Sequence, residues 1–448
     1  MLINVIYIII FMFSINICVG RRYNNYTLYR AIPVNESHLE FFSNLNEFYD
    51  VNFWRGPGLV YRPVDFVINP ADQEHFLRDA GRHGVYLTTI LNDVQKAFDQ
   101  QRVKNYIRRK METFDWQHYF RLKDIYDWLN DLAKTHPNVV KLLKIGKSHE
   151  NRTIMAVKIA FKNDTDLRST IIVEGGIHAR EWIAPAFVTY MIHQILHANS
   201  SEDIALKQVA YTYRWYFVPV LNVDGYEYTH TEDRLWRKNR NGYGVDLNRN
   251  FGHAFGSTGV SWIKNTDLFC GDKAFSEKET QAMAGLVRKK SKNLEYYIAF
   301  HSYGQYMIIP YADSKKHSEN FDEVTDMCKK AAGKIEEMYH TKYTIGTAFD
   351  TVGYLSSGVS GCWVKSAFHV PYVVTFELRD NGYFGFPGFL IAESAFLVFY
   401  KSMAANTRKL NCAVAACFGD GHTARGNLYI KGPFTQTGSK RRADFYYA

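Results

Sequence analysis

The stretch Glu174-Gly-Gly-Ile-His178-Ala-Arg180-Glu181-Trp-Ile-Ala-Pro185 sets an imidazole and a carboxylate three residues apart, directly after an apolar run. The run itself, Ser169-Thr-Ile-Ile-Val-Glu174, is short and β-branched and reads as a strand. Gly175-Gly176 permits a sharp exit. From Ile183 to His197 apolar residues recur with a helical period, and Pro185 suits a first turn. A strand that ends in a turn opening a helix is where open α/β sheets gather their ligands. Imidazole nitrogen and carboxylate oxygen are donors that zinc accepts, and a catalytic zinc takes three protein ligands and keeps one position open. His178 and Glu181 therefore require a third partner, expected at another strand end.

Tyr296-Tyr-Ile-Ala-Phe-His301-Ser302-Tyr303 supplies that partner in His301. Pro371-Tyr-Val-Val-Thr-Phe-Glu377 places an acid at the end of a fourth hydrophobic segment, where a carboxylate needs either a partner or a chemical task. Between Pro185 and Tyr296 lie Arg234-Leu-Trp-Arg237-Lys238 and Gly244-Val-Asp246-Leu-Asn248-Arg249-Asn250. Either alone would read as a basic surface turn. Taken together and in this order, the segments resemble the zinc metallocarboxypeptidases of the pancreatic carboxypeptidase A and B type, from about Thr113 to about Leu410.

The resemblance implies an α/β fold, a mixed eight-stranded β-sheet flanked by helices, preceded by a small α/β open-sandwich activation domain. It implies one Zn2+ held by His178, Glu181 and His301, with Glu377 as general base and Arg237 supplying positive charge to the oxyanion. It assigns Asn248, Arg249 and Tyr354 to the substrate's α-carboxylate, Arg180 to the groove further out, and Asp246 to orienting His178. Tyr303 and Ser302 match groove residues without a catalytic task. The position that holds Asp in the branch cleaving after basic residues is Gly361 here, and matched pocket positions are Ile308, Ala312, Phe349, Ser356 and Val359. With no acid at the pocket base, aliphatic or aromatic C-terminal residues are the expected substrates. The stretch from Trp363 to Glu377 is one residue longer than the family spacing, so release of Lys or Arg, with Asp350 as the acid, stays open. A non-catalytic peptide-binding relative is the other alternative, but it would lack a ligand or the base, and all four residues stand here.

The rest of the chain is consistent with an extracellular life. Residues 1–20 form an apolar run too short to span a bilayer and read as a signal peptide. Sequons at Asn25, Asn35, Asn151, Asn163 and Asn199 fit a secreted glycoprotein. Residues 21–110 are assigned to the activation domain and its linker. Within them 21–34 read as a polar lead, Leu59-Val-Tyr61 and Val64–Pro70 as strand-like, Pro70–Ala80 as a helix, and Val85–Leu91 as a strand. Asp99 to Met111 is polar and basic and ends in Arg108-Arg109-Lys110, a fit substrate for a trypsin-like activating protease. Residues 111–410 make the catalytic domain, and 411–448 form a basic, Gly-containing tail with no assigned role.

Of six cysteines, Cys18 leaves with the signal peptide, so five remain in an oxidising compartment. The family disulfide that would engage Cys270 has Gly242 at its other end here, while Cys412 and Cys417 are close enough in sequence to close a small loop. The net charge of +9 is scattered without a nucleic-acid motif, and no second long apolar stretch exists, so neither nucleic acid nor membrane is an expected partner. Peptides or proteins with a free C-terminal carboxylate are, and the protein is expected to be a monomer.

Overall fold

The computed structural model describes residues 20–101, 114–116, 118–161 and 169–379. Residues 1–19 of the expected signal peptide, Arg108-Arg109-Lys110, Asn163, Cys412, Cys417 and the basic tail lie outside the described residues.

The activation domain is a four-stranded antiparallel sheet, β1 (Thr27–Ala31), β2 (Val51–Arg55), β3 (Val64–Ile68) and β4 (Leu87–Leu91), in the order β2-β3-β1-β4. Helices Glu36–Ser43 and Gln73–Arg82 bury Phe42 and Phe76 against Tyr29, Phe66 and Ile68. All five β3 residues are buried because both faces are covered. Val64, Phe66 and Ile68 enter the domain's own core. Val67 packs with Leu235 of the catalytic part, and Asp65 reaches Tyr303. Two expectations fail here. The supposed polar lead holds β1, an inner strand of the sheet. Leu59–Tyr61 is a turn rather than a strand: Gly56-Pro57-Gly58 precede it, Pro63 follows, and Tyr61 takes a positive φ of 62°.

The catalytic part is an eight-stranded mixed sheet of β5 (Val140–Lys147), β6 (Thr153–Ile159), β7 (Thr170–Gly175), β8 (Arg214–Val218), β9 (Leu294–Ser302), β10 (Tyr306–Ile308), β11 (Thr344–Gly346) and β12 (Tyr372–Leu378). The strand order is β11-β10-β12-β9-β7-β8-β6-β5. Its centre, β12-β9-β7-β8, is wholly parallel. Every residue of β7 and β8 is buried, as expected of strands covered on both faces. On one face Phe187 of helix Ile183–Leu196 packs on Phe300. On the other, helix Ser360–Phe368 sits over Val373 and Thr375.

This topology places the site. From β7 the chain goes first to neighbour β8 and later returns to β9 on the opposite side, so the order reverses between β7 and β9. A crevice opens outside the carboxyl ends at such a reversal. His178 follows β7, His301 ends β9, and Glu377 pairs in register with His301 from β12.

Candidate metal centre and substrate cavity

The turn after β7 is fixed by local chemistry. Gly176 has φ +63°, and a Cβ there would lie 3.0 Å from the Pro185 ring and 3.2 Å from Val220 Cα. Asn222 donates its amide to the carbonyls of Ile177 (3.1 Å) and Lys238 (3.0 Å), and Ala179 N–H bonds to Arg237 O. The His178 turn and the Arg237 segment are thereby held as one unit.

The donor atoms of His178, Glu181 and His301 all fall within 4.8 Å of one another and all three residues are buried. His178 Nδ1 lies 2.7 Å from Glu181 Oε1 and 3.1 Å from His301 Nδ1, and His301 Nδ1 lies 3.1 Å from Glu181 Oε2. His178 Nε2 faces Asp246 Oδ1 at 3.1 Å, so Nε2 carries the ring proton and Nδ1 presents a lone pair to the cluster. Electron pairs from three groups thus point at one another. Tetrahedral zinc at about 2.1 Å from each donor would separate neighbouring donors by about 3.4 Å, close to the spacing present. The donor set fits zinc.

Around the triad the charges are ordered. Arg237 Nε and NH2 both bond Asp246 Oδ2 (3.0 and 2.9 Å), and NH1 lies 3.7 Å from Glu181 Oε1. Burial works against the Asp246 charge, but Arg237 and His178 hold the carboxyl well below its usual range. Burial likewise opposes the Glu181 charge and the two histidines outweigh it. Burial pushes the Glu377 carboxyl up to about 8, against the pull of His301 and Arg237. A carboxylate raised this way is a better base than an ordinary glutamate.

A cavity of about 200 Å³ joins these groups, lined among others by His178, Glu181, Arg237, Asn248, Arg249 and Glu377. Asn248 Oδ1 accepts Ser360 N–H at 2.9 Å, which orients its amide so that the NH2 donates elsewhere. Arg249 bonds the carbonyls of Gly259 through Nε and Asn248 through NH1. Tyr354 stands at the rim, 36% exposed.

The pocket wall departs in part from expectation. Ile308, Ala312, Ser356 and Val359 line it. Phe349 does not: the short helix Ala348–Thr351 turns Ala348 and Val352 inward, one turn apart, and leaves the Phe349 ring under Lys315 at 4.0 Å. Gly361 lies beneath the wall, where a Cβ would sit 3.1 Å from Val373 and 3.6 Å from Thr375 Oγ1. Asp350 closes a capping box with Thr347 and takes no place in the cavity lining. Thr375 was passed over in the sequence, although alternation puts it on the same face as Glu377 two residues later.

The activation domain reaches the cavity mouth with Trp54 and Arg55. Arg180 bonds Asn52 Oδ1 (3.1 Å) and Phe53 O (3.1 Å), as well as Asp267 (3.2 Å) of its own domain. Tyr303 donates its hydroxyl to Asp65 at 3.0 Å, and the Arg55 guanidinium lies over the Tyr303 ring. Nothing in the periodicity of β2 signals these contacts, since they depend on how two separate folds dock. Cys270, Cys328 and Cys362 are buried thiols, so the lost partner of Cys270 is not replaced by another described cysteine.

A family model described as zinc carboxypeptidase matches residues 125–402, and one described as carboxypeptidase activation peptide matches 29–101. Zinc carboxypeptidase A 1 of Anopheles gambiae is 37% identical over 367 residues, covering 81% of this chain and 83% of that protein. Carboxypeptidase B of Rattus norvegicus is 32% identical over 381 residues, 82% of this chain and 88% of its own. The crystal structure of thrombin activatable fibrinolysis inhibitor superposes with a TM-score of 0.79 at 26% identity, covering 86% of this chain and 99% of that one. The fold is shared too by the carboxypeptidase A of Helicoverpa armigera, with a TM-score of 0.76 at 24% identity over 87% of this chain and 98% of that one. The chain belongs to the zinc carboxypeptidases and carries that family's activation peptide ahead of the catalytic part.

Proposed function

We propose that this zinc carboxypeptidase zymogen is secreted, acts as a monomer once a trypsin-like protease cuts between its two folded parts, and then removes aliphatic or aromatic residues from the carboxyl ends of peptides and proteins. The observation that carries the reading is one cavity lined by His178, Glu181, Glu377 and the set Asn248, Arg249 and Tyr354, with the His301 donor within 4.8 Å of the other two ligands.

His178, Glu181 and His301 would hold the ion. Bound there, zinc supplies a Lewis acid for the scissile carbonyl and makes water acidic enough to lose a proton near neutrality. Glu377 accepts that proton as the water attacks and delivers it to the departing amine nitrogen. Arg237 stays charged, and with Nε and NH2 committed to Asp246 its NH1 offers a donor to the oxygen that gains charge. The Asn248 NH2 and the Arg249 N–H groups not given to carbonyls bind the terminal carboxylate, which restricts cleavage to the last residue. Tyr354 closes the rim. Secretion is supported by the apolar leader and by the exposure of Asn25, Asn35, Asn151 and Asn199, the described sequon positions. Among the described residues no helix is long and apolar enough to cross a membrane.

Two measurements test the finer claims. A peptide panel differing only in its last residue should lose Phe or Leu about 10²-fold faster than Lys or Arg, because each buried methylene gains ~0.8 kcal/mol while an unpaired ammonium costs several. Fastest loss of Lys or Arg would overturn the pocket reading. Limited trypsin treatment of the full chain should release a form beginning near Met111 with activity on large peptides raised by ~10²-fold or more. Equal activity before and after cleavage would reduce the first domain to an accessory.

A further inference from the structure

One fully buried acid has no part in the chemistry above. Glu174, in β7, pairs across the sheet with Ala299 of β9. Side chains alternate along β9, so Tyr297 and His301 stand on the face of Ala299, one step to either side. Tyr297 donates its hydroxyl to Glu174 Oε2. Glu174 Oε1, His301 Nε2 and Ser360 Oγ are buried without a hydrogen-bond partner. These are an acceptor, a ring nitrogen and a hydroxyl that serves as either. Burial pushes the Glu174 carboxyl up, and Tyr297, His301 and Ser360 each pull it back.

His301 turns Nδ1 to the donor cluster, so Nε2 must carry the ring proton if Nδ1 is to give its lone pair. The first histidine meets the same demand through Asp246. We infer that Glu174 is the positioning residue of the second: its Oε1 accepts the His301 Nε2–H across one buried water shared with Ser360, and so fixes the tautomer of that ligand. Ser360 carries the effect further, because its backbone N–H orients Asn248. The turn that sets the carboxylate clamp is thereby tied to the metal centre.

This inference rests on His301 being a zinc ligand. The test uses the full chain, loaded with zinc alone and challenged with a coloured chelator, and a cobalt-substituted form read by its visible spectrum. In the Glu174→Leu/Tyr297→Phe double variant, both buried polar groups go together. Zinc release should quicken by about 10–100-fold and the cobalt spectrum should shift, with the apoprotein still melting cooperatively. Tyr297→Phe alone should release zinc at the wild-type rate, since Oε1 remains; Glu174→Gln, whose amide keeps one acceptor, should restore most of the retention. A merely structural acid would show no such ordering. Wild-type zinc release and an unchanged cobalt spectrum in the double variant overturn the inference. Should the double variant not fold, Glu174→Leu alone is read by the same two measurements. Full zinc in His301→Ala would instead overturn the ligand assignment, and the two failures are separable.

Discussion

Glu377→Gln is expected to leave a folded, zinc-loaded protein that binds peptides normally and turns them over about 10³ to 10⁴ times more slowly. The amide has the same size and sits on the same strand, in register with His301, so the cavity keeps its shape. What it loses is the capacity to accept a proton, and a general base contributes up to about 10⁴-fold. The pH profile makes the assignment sharper. The base works deprotonated, so kcat/KM falls as pH falls through the Glu377 pKa. Burial raises that value to about 8, and a dication held by the neighbouring triad would draw it down. The acid limb of the loaded enzyme should therefore lie below pH 8 and vanish from the residual activity of Glu377→Gln. Turnover near normal in that variant would remove Glu377 from the mechanism.

His301→Ala should abolish stoichiometric zinc and peptidase activity together, a loss of affinity well beyond the ~10–100-fold that partners of ligands contribute. The chain should stay folded. β9 lies at the centre of the sheet with Tyr296, Ile298 and Phe300 in the main core, and a domain with such a core does not depend on a catalytic ion to hold it together. Zinc content by metal analysis and far-ultraviolet circular dichroism separate the outcomes. A variant that keeps both metal and full activity would refute the triad.

The catalytic sheet was readable because its central strands are buried on both faces and end in polar residues. An imidazole or carboxylate at the end of an apolar run stands out against the cost of burying it. The activation domain hid more. β1 contains Arg30 facing Asp65 across the strand pair, and a charged pair in a sheet covered on both sides erases the alternation that marks a strand. Leu59-Val-Tyr61 has the composition of a strand but stands between prolines and glycines that set its backbone. Phe349 was placed in the pocket by counting along the chain, whereas a single helical turn decides which side chains face inward. Contacts such as Arg180 with Asn52 and Phe53 come from docking two folds, which no local pattern encodes.

The seam between the two folded parts has a further consequence. Asp65 is held by Arg30 at 2.6 and 2.9 Å inside the activation domain, so separation costs Asp65 only its hydrogen bond from a neutral phenol. Arg180, too, keeps Asp267 when Asn52 and Phe53 depart. Neither Asp65 nor Arg180 is left as a stranded buried charge. Cutting the linker breaks none of these contacts; it turns an intramolecular ligand into a free one and removes its millimolar effective concentration. Activation is then a dilution event, and freshly cleaved protein should regain latency when concentrated with its own excised domain.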